Sequence, residues 1–573
     1  MNRFAVLVPV FLLLVIVPST RAQDLVRKLD ETVSAMVAAK HFNGAVLVTK
    51  GETVLLRKGY GTAVFEWNIP VTPETRFRIG SVTKQFTAAM ILRLMEHGRL
   101  ELDVPFRKYI PDYPSSHADQ VTIHQLLTHT SGIPSYTELP GFMRAEARRE
   151  YPPDSMFARI APLPLVFEPG SAWSYNNSGY FILGAVIERI TGMSYDRALR
   201  AMLLDPLGLR ASGYEHNGDV IPDFANGYIR LPVGVRRAAW LDTSVPYAAG
   251  MMYSTVDDLV HWTRALHAGQ VFASTETLMK MITPYMENYG YGLSIHEQEA
   301  GEKRVRVIEH GGGIFGFRSA LWYLPEEEYT IAVLDNTEGH AGGVATTIFR
   351  VLHGLEPEFP KPSIANAVHR IIEEEGLDVV ARRYAAMRTE EAETWNFEEQ
   401  ELNSLGYIYL QDGRTDAALR VFKLNVDAYP ASWNVYDSYG EALAAAGRKD
   451  EAITQYRKAL EINPASTSAK QALARLGVTV EEVKITVSEE VLDRHVGRYQ
   501  LAPNFILAIT REGTQLYAQA TGQQKIEIHP SSEQHFYLTV VDARITFDQD
   551  GEKPSPGLTL HQGGRDMPAT RIQ

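Results

Sequence analysis

Apolar residues recur along this chain with two different periods, and a change of period predicts a change of local structure. In residues 42–65, "FNGAVLVTKGETVLLRKGYGTAVF", apolar runs flank Lys50–Gly51–Glu52, the pattern of a β-hairpin. Residues 81–97 instead set Phe86, Met90, Ile91, Leu94 and Met95 at helical spacing and close on Gly98, which predicts a helix. From there to about residue 270 the chain reads as helix and loop, broken by Pro134, Pro140, Pro152, Pro153 and Pro169. Strand signals return in "YGYGLSIHEQ", "KRVRVIEH", "FRSALWYLP" and "YTIAVLDN", between residues 289 and 336. Strands at both ends with helices between them predict one α/β unit, its terminal strands sharing an antiparallel sheet beside a helical region.

"LEPEFPKPS", residues 355–363, is proline-rich and without periodicity, so it reads as a linker. Beyond it, Gly406, Gly413, Ala418 and Pro430 recur as Gly440, Gly447, Ala452 and Pro464, each offset by 34 residues. That is the tetratricopeptide period, in which small residues let two antiparallel helices approach closely. Residues 366–390 read as a degenerate third repeat. From residue 481 short alternating strands with Gly, Asn and Asp turns predict a small β domain, a barrel being one form it can take. The expected organisation is therefore multidomain: a leader at 1–22, an α/β domain at 23–357, helical repeats at 358–480 and a β domain at 481–573.

The leader rests on Arg3, an apolar run from Phe4 to Val17 and the small-residue exit Thr20–Arg21–Ala22, the layout of a secretory signal peptide. The run is shorter than the roughly 20 residues of a membrane span, so no stable span is expected after cleavage, and a periplasmic or secreted address is. The chain has no cysteine, which excludes disulfides, thiolate metal sites and a cysteine nucleophile. A net charge of −13 argues against nucleic acid as a partner.

Three stretches carry candidate chemistry. Ser81–Val82–Thr83–Lys84, the only Ser-x-x-Lys in the chain, would place a lysine amine one helical turn from a serine hydroxyl. A buried lysine is an adequate base for a serine nucleophile, but serine is also an ordinary helix cap and lysine an ordinary surface residue. Tyr175–Asn176–Asn177 precedes an amphipathic helix bearing Ile182, Leu183, Val186 and Ile190. Tyr175 there could move protons and Asn177 could hold a substrate amide and the lysine; a packed tyrosine and a capping asparagine explain the same residues. "VIEHGGGIFGFRSALWYLP" ends a strand at His310 and follows it with Gly311, Gly312 and Gly313. Glycines at a strand edge admit a close backbone or a substrate, and a freed N–H could stabilise an oxyanion. A flexible hairpin with a surface histidine is the plain alternative.

Together, in this order, these elements resemble the serine β-lactamase and penicillin-binding protein superfamily, on its class C branch of DD-peptidases, D-aminopeptidases and β-lactamase-like carboxylesterases. "VTIHQLLTHTSGIPSY", "YAAGMMYSTVDDLVHW" and "ELDVPFRKYIPDYP" strengthen the likeness, which spans about residues 30–355. The resemblance implies a β-lactamase-like α/β fold with Ser81 as acylated nucleophile, Lys84 as general base and Tyr175 as a proton-moving residue. It implies substrate-binding roles for Asn177, His310 and Gly312, with Gly313 as second oxyanion donor. His310 stands where the class C β-lactamases carry lysine, which argues against efficient β-lactam hydrolysis. The implied activity is hydrolysis of D-amino-acid peptides or β-lactam-like amides through an acyl-enzyme, with a carboxylesterase or a non-catalytic binding protein as alternatives. Neither cofactor nor metal is implied, and no His-Glu-x-x-His occurs. The expected partners are a small-molecule or peptide substrate and, for the helical repeats, another protein.

Overall fold

The computed structural model describes residues 20–479, 485–502, 505–521, 523–538, 541, 543–562 and 565–572. The expected leader at 1–22 therefore lies, up to residue 19, outside the described residues. Among those described, no helix is long and apolar enough to cross a membrane. The chain divides into two compact units, Met1–Pro360 and Lys361–Gln573.

The first unit is built on strands β1 (Gly44–Lys50), β2 (Thr53–Tyr60), β3 (Ser294–Ala300), β4 (Lys303–Ile314), β5 (Phe317–Leu324) and β6 (Tyr329–Asp335). They form one sheet in the order β3-β4-β5-β6-β1-β2, with every pairing antiparallel. The N-terminal hairpin thus joins the C-terminal strands through β1 and β6, where Val46 pairs Val333. Runs such as Ala45–Val48 and Ile331–Leu334 are apolar at every position because both faces are covered. Val46, Val48, Ile331 and Val333 face helices Thr20–Ala38 and Ala341–Leu352 through Leu29, Val33, Ile348 and Phe349. Ala45, Leu47, Ala332 and Leu334 join the larger core of the helical region with Phe86, Met90, Phe181 and Trp262.

The structure departs from the sequence reading at three places. The strand expected to end at His310 runs on to Ile314, so the three glycines lie inside β4, paired with β5. "YGYG" is a turn, and the strand starts only at Ser294; a Cβ on Gly292 would meet the Lys84 carbonyl oxygen at 2.6 Å. The middle region, expected as helix and loop, also holds small antiparallel pairings, among them Tyr228–Leu231 with Gly234–Arg237.

The second unit contains helical hairpins followed by a closed barrel. Gly406 lies against Phe422 and Gly440 against Tyr456, contacts that repeat with the 34-residue offset and leave no room for a Cβ on Gly406, 2.6 Å from the ring. Residues 366–390 lie in helices Ile364–Glu374 and Val380–Glu390. The barrel runs from Gly497–Ala502 to Arg565–Arg571 and closes through Tyr499 pairing Arg571, with Tyr499, Ile528, Phe536 and Ile545 buried inside.

Candidate active site

Ser81 lies on a 3₁₀ turn, Gly80–Val82, that leads directly into helix α1, Thr83–Glu96. Gly80 has a φ of +52°, and a Cβ there would sit 2.8 Å from the Gly313 amide nitrogen, so glycine is needed both for conformation and for space. Strand β4 therefore passes directly beside the turn. The segment is pinned by Ile79 N–H donating to the Met252 carbonyl (3.0 Å) and by the Ser319 hydroxyl donating to the Ile79 carbonyl (2.7 Å).

Lys84 is fully buried on α1, and burial pushes its amine well below the ordinary lysine range. Its Nζ lies 3.1 Å from Ser81 Oγ, 2.9 Å from Asn177 Oδ1 and 2.9 Å from the Ala249 carbonyl oxygen. The last two atoms can only accept. A neutral amine donates its two N–H bonds to them and has its lone pair left for the serine hydroxyl, which is the geometry of a general base.

Tyr175, half-buried, stacks beside the amine with its ring centroid 4.8 Å from Lys84 Nζ. Burial raises the phenol, against the pull of its hydrogen bond to Ser81, so Tyr175 is protonated at rest. The two shifts run in opposite directions, and in both groups burial favours the neutral form. Asn176, the residue after Tyr175, caps helix α2, Asn177–Thr191, by accepting from Gly179 N–H (2.8 Å). The capping asparagine is thus Asn176, which leaves the Asn177 amide free to face Lys84.

Three residues outside the expected set complete the surroundings. The Ala249 carbonyl comes from "YAAG". His129, with a φ of +61°, accepts from Asn176 N–H at Nδ1 (3.0 Å) and packs its ring 4.5 Å from those of Tyr175 and Tyr289. Burial, with Lys84 and His310 nearby, pushes this imidazole well down. Thr137 accepts from Asn177 Nδ2 (3.0 Å).

Two of the expected residues, His310 and Gly312, do not line the cavity beside Ser81. His310 is 6% exposed and does not line the cavity. Its Nε2 is 2.9 Å from the Tyr289 hydroxyl, its Nδ1 2.5 Å from the Gly311 carbonyl, and burial pushes it down to about 3. In this arrangement both nitrogens of the imidazole are engaged within the protein. Gly312 faces the Ile79 carbonyl, and its missing side chain serves that packing. Gly313, by contrast, lines a cavity of about 530 Å³ together with Ser81, Thr137 and Asn177. The remaining wall is largely apolar, including Tyr136, Met143, Leu241, Val245 and Phe315, with Arg318 and Glu338 as its charged members. Among the described residues no group of acids, histidines or cysteines has the arrangement of a metal site.

The profile of the beta-lactamase family matches residues 29–355, a tetratricopeptide repeat matches 433–476, and a domain of unknown function (DUF3471) matches 481–571. Esterase EstB of Burkholderia gladioli is 32% identical over 288 residues, 44% of this chain and 73% of its own. Other curated relatives are spanned over only 62–63% of their length. A D-amino acid amidase from Ochrobactrum anthropi, solved with L-phenylalanine amide, superposes with a TM-score of 0.50 at 26% identity, covering 57% of this chain and 97% of that one. An octameric penicillin-binding protein homologue from Pyrococcus abyssi shares the fold over 95% of this chain and all of its own, with a TM-score of 0.51 at 22% identity.

Proposed function

The chain belongs to the beta-lactamase family of serine hydrolases, and on that premise we propose that its first unit hydrolyses small carboxylic esters and amides through an acyl-enzyme on Ser81. The observation that carries this reading is the hydrogen-bond set of Lys84, which leaves one lone pair and aims it at the Ser81 hydroxyl. As Ser81 Oγ attacks the substrate carbonyl, its proton passes to Lys84 Nζ and the carbonyl oxygen becomes an oxyanion held by the Ser81 and Gly313 N–H groups. Collapse of that intermediate breaks the bond to the leaving group, which takes the lysine proton by way of the Tyr175 hydroxyl. Water then attacks the acyl carbon; its proton returns to Ser81 Oγ and the acid departs.

The apolar wall supports esters with an apolar acyl part as the better substrates, and such leaving groups need little help. D-amino-acid peptides and amides are the second reading, favoured by the one ion pair in the cavity. Arg318 Nη2 lies 3.3 Å from Glu338 Oε2 and uses one further N–H on the Phe317 carbonyl, so a substrate carboxylate would meet Arg318 rather than His310. The leader supports export to a periplasmic or extracellular site, and the repeats support a protein partner for the second unit. Purified protein should turn over 4-nitrophenyl butyrate and label with a fluorophosphonate at Ser81, both lost in Ser81→Ala. Turnover that persists in that variant rules the mechanism out.

A further inference from the structure

Lys84 acts as a base only if Asn177 presents oxygen to it, and nothing in an asparagine side chain by itself fixes that choice. A second segment packs against this asparagine and supplies its other hydrogen-bond partner. Ile133–Thr137 and Asn176–Ser178 are cross-linked at close intervals: Asn176 Nδ2 donates to the Ile133 carbonyl, Asn177 N–H to Ser135 Oγ (3.2 Å), and Tyr136 N–H to Ser178 Oγ (2.9 Å). Ser178 Oγ donates in turn to the Pro134 carbonyl (2.7 Å), and Asn177 Nδ2 to Thr137 Oγ1 (3.0 Å). Thr137 Oγ1 also shares a hydrogen bond of 3.0 Å with Ser135 Oγ. Resting on the reading of Ser81 and Lys84 given above, we propose that Thr137 is a positioning residue: with its own O–H given to Ser135 Oγ, its oxygen can only accept from the Asn177 amide nitrogen, which sets the amide so that the Lys84 lone pair stays on Ser81.

The chemistry of the flipped amide shows what is at stake. With Nδ2 toward Nζ, the lysine lone pair accepts from the amide, and the amine must donate to Ser81 instead of accepting from it. Every atom of the site remains in place and the base is lost. The flip also removes one acceptor from the ammonium form, which lowers the amine further. The titratable groups facing Lys84 are Tyr175 and Tyr180, with rings 4.8 and 5.5 Å from Nζ, and His129 and His310, both held neutral by burial. None of them titrates so as to reverse that direction near neutral pH.

The test is the rate of Ser81 labelling by a fluorophosphonate, followed against pH in wild type, Thr137→Val and Thr137→Ser. Valine keeps the shape and removes the acceptor, whereas serine keeps the acceptor. Thr137→Val should label about 30-fold more slowly or worse near neutral pH, with its acid limb moved to lower pH, and Thr137→Ser should stay within about threefold of wild type. Should the valine variant fail to fold, Thr137→Ala removes the same oxygen without a branched carbon and carries the same expectation. Wild-type rates in Thr137→Val, or equal loss in valine and serine variants with an unmoved acid limb, overturns the assignment. Absence of Ser81 labelling in wild type would instead overturn the underlying reading of the site, so the two failures are distinguishable.

Discussion

Adjacent glycines in β4 should respond to alanine in opposite ways. A Cβ on Gly312 would lie 2.1 Å from the Ile79 carbonyl oxygen and 2.1 Å from Ser319 Oγ, whereas on Gly313 the nearest atom is Arg318 Nη1 at 3.4 Å. Relaxed carbon–oxygen contacts are about 3.3 Å or more, so Gly312→Ala must part β4 from the Ile79 segment by about 1 Å. Overpacking of that kind costs about 1–3 kcal/mol. Loss of the buried Ser319 to Ile79 hydrogen bond adds about 1 kcal/mol. Neither glycine has a positive φ, so alanine recovers about 0.5–1 kcal/mol from the unfolded chain in both. The net is a loss of about 2–3 kcal/mol for Gly312→Ala and none for Gly313→Ala. In a unit of this size that is a drop in Tm of about 3–4 °C for the first and no drop for the second. Calorimetry reads the stability, and fluorophosphonate labelling reads the site. Gly312→Ala should lose both, because Ile79 leads into Ser81; Gly313→Ala should stay folded while its new methyl slows acylation. A Gly312→Ala protein that melts with wild type, or a Gly313→Ala protein that alone loses stability, would show that the close approach is not what glycine is there for.

Other consequences can be measured in parallel. Lys84→Met should reduce kcat/KM on 4-nitrophenyl butyrate by about 10³-fold or more, the loss seen when an activated serine is deprived of its base. The acid limb of kcat/KM should fall well below the ordinary lysine range, activity appearing as pH rises through the lowered value, and Lys84→Met should remove that limb. The linked stability has the same sign: between the lowered value and 10.5 the unfolded chain binds a proton that the folded chain does not, so stability rises with pH there and the methionine variant should lose that slope. Arg318→Gln should lower, by about tenfold, the ratio of kcat/KM for 4-nitrophenyl hydrogen glutarate over the pentanoate ester, and Glu338→Gln should raise it. An unchanged ratio in both variants would remove the ion pair from substrate selection.

What could be read from the sequence follows the range of the forces involved. The hairpin at 42–65, the helix after Ser81 and the 34-residue repeat are local patterns, and the structure contains all three. The strand through Gly311–Gly313 is not local, since glycine disfavours strands and only pairing with Phe317–Leu324 holds it there. His310 carried a chemical suggestion in its residue type, but neither its burial nor its contact with Tyr289 has a sequence signature. The Ala249 carbonyl has no side-chain signature, because a backbone acceptor can belong to any residue. Thr137 lies 40 positions from Asn177, and its partner is visible only once the two segments are side by side. Gly312 and Gly313 read identically in sequence, yet one accommodates a carbonyl and the other lines the cavity.

The electrostatics of the site explain why its hydrogen-bond acceptors are an amide and a carbonyl rather than a carboxylate. Burial lowers Lys84 and no carboxylate among the described residues acts to raise it, so burial favours the neutral amine as it favours the neutral phenol and the neutral forms of both nearby imidazoles. In the mechanism proposed above, charge appears only when Ser81 gives up its proton, as an ammonium facing an oxyanion, and stabilisation confined to that moment lowers the barrier. Asn177→Asp tests this with a change of one atom. At 2.9 Å a carboxylate oxygen attracts the ammonium by about 6 kcal/mol for an effective dielectric near 20. Even halved by the cost of burying the new carboxylate, about 3 kcal/mol raises the amine by about two pH units. The lysine is then pinned as a cation before substrate arrives, and the lone pair is gone. Hydrolysis of 4-nitrophenyl butyrate near neutral pH should fall below that of Asn177→Ala, and the deficit should shrink as pH is raised. If Asn177→Asp instead outperforms Asn177→Ala at every pH, the amine works as a cation, and the neutral-base account of this site is wrong.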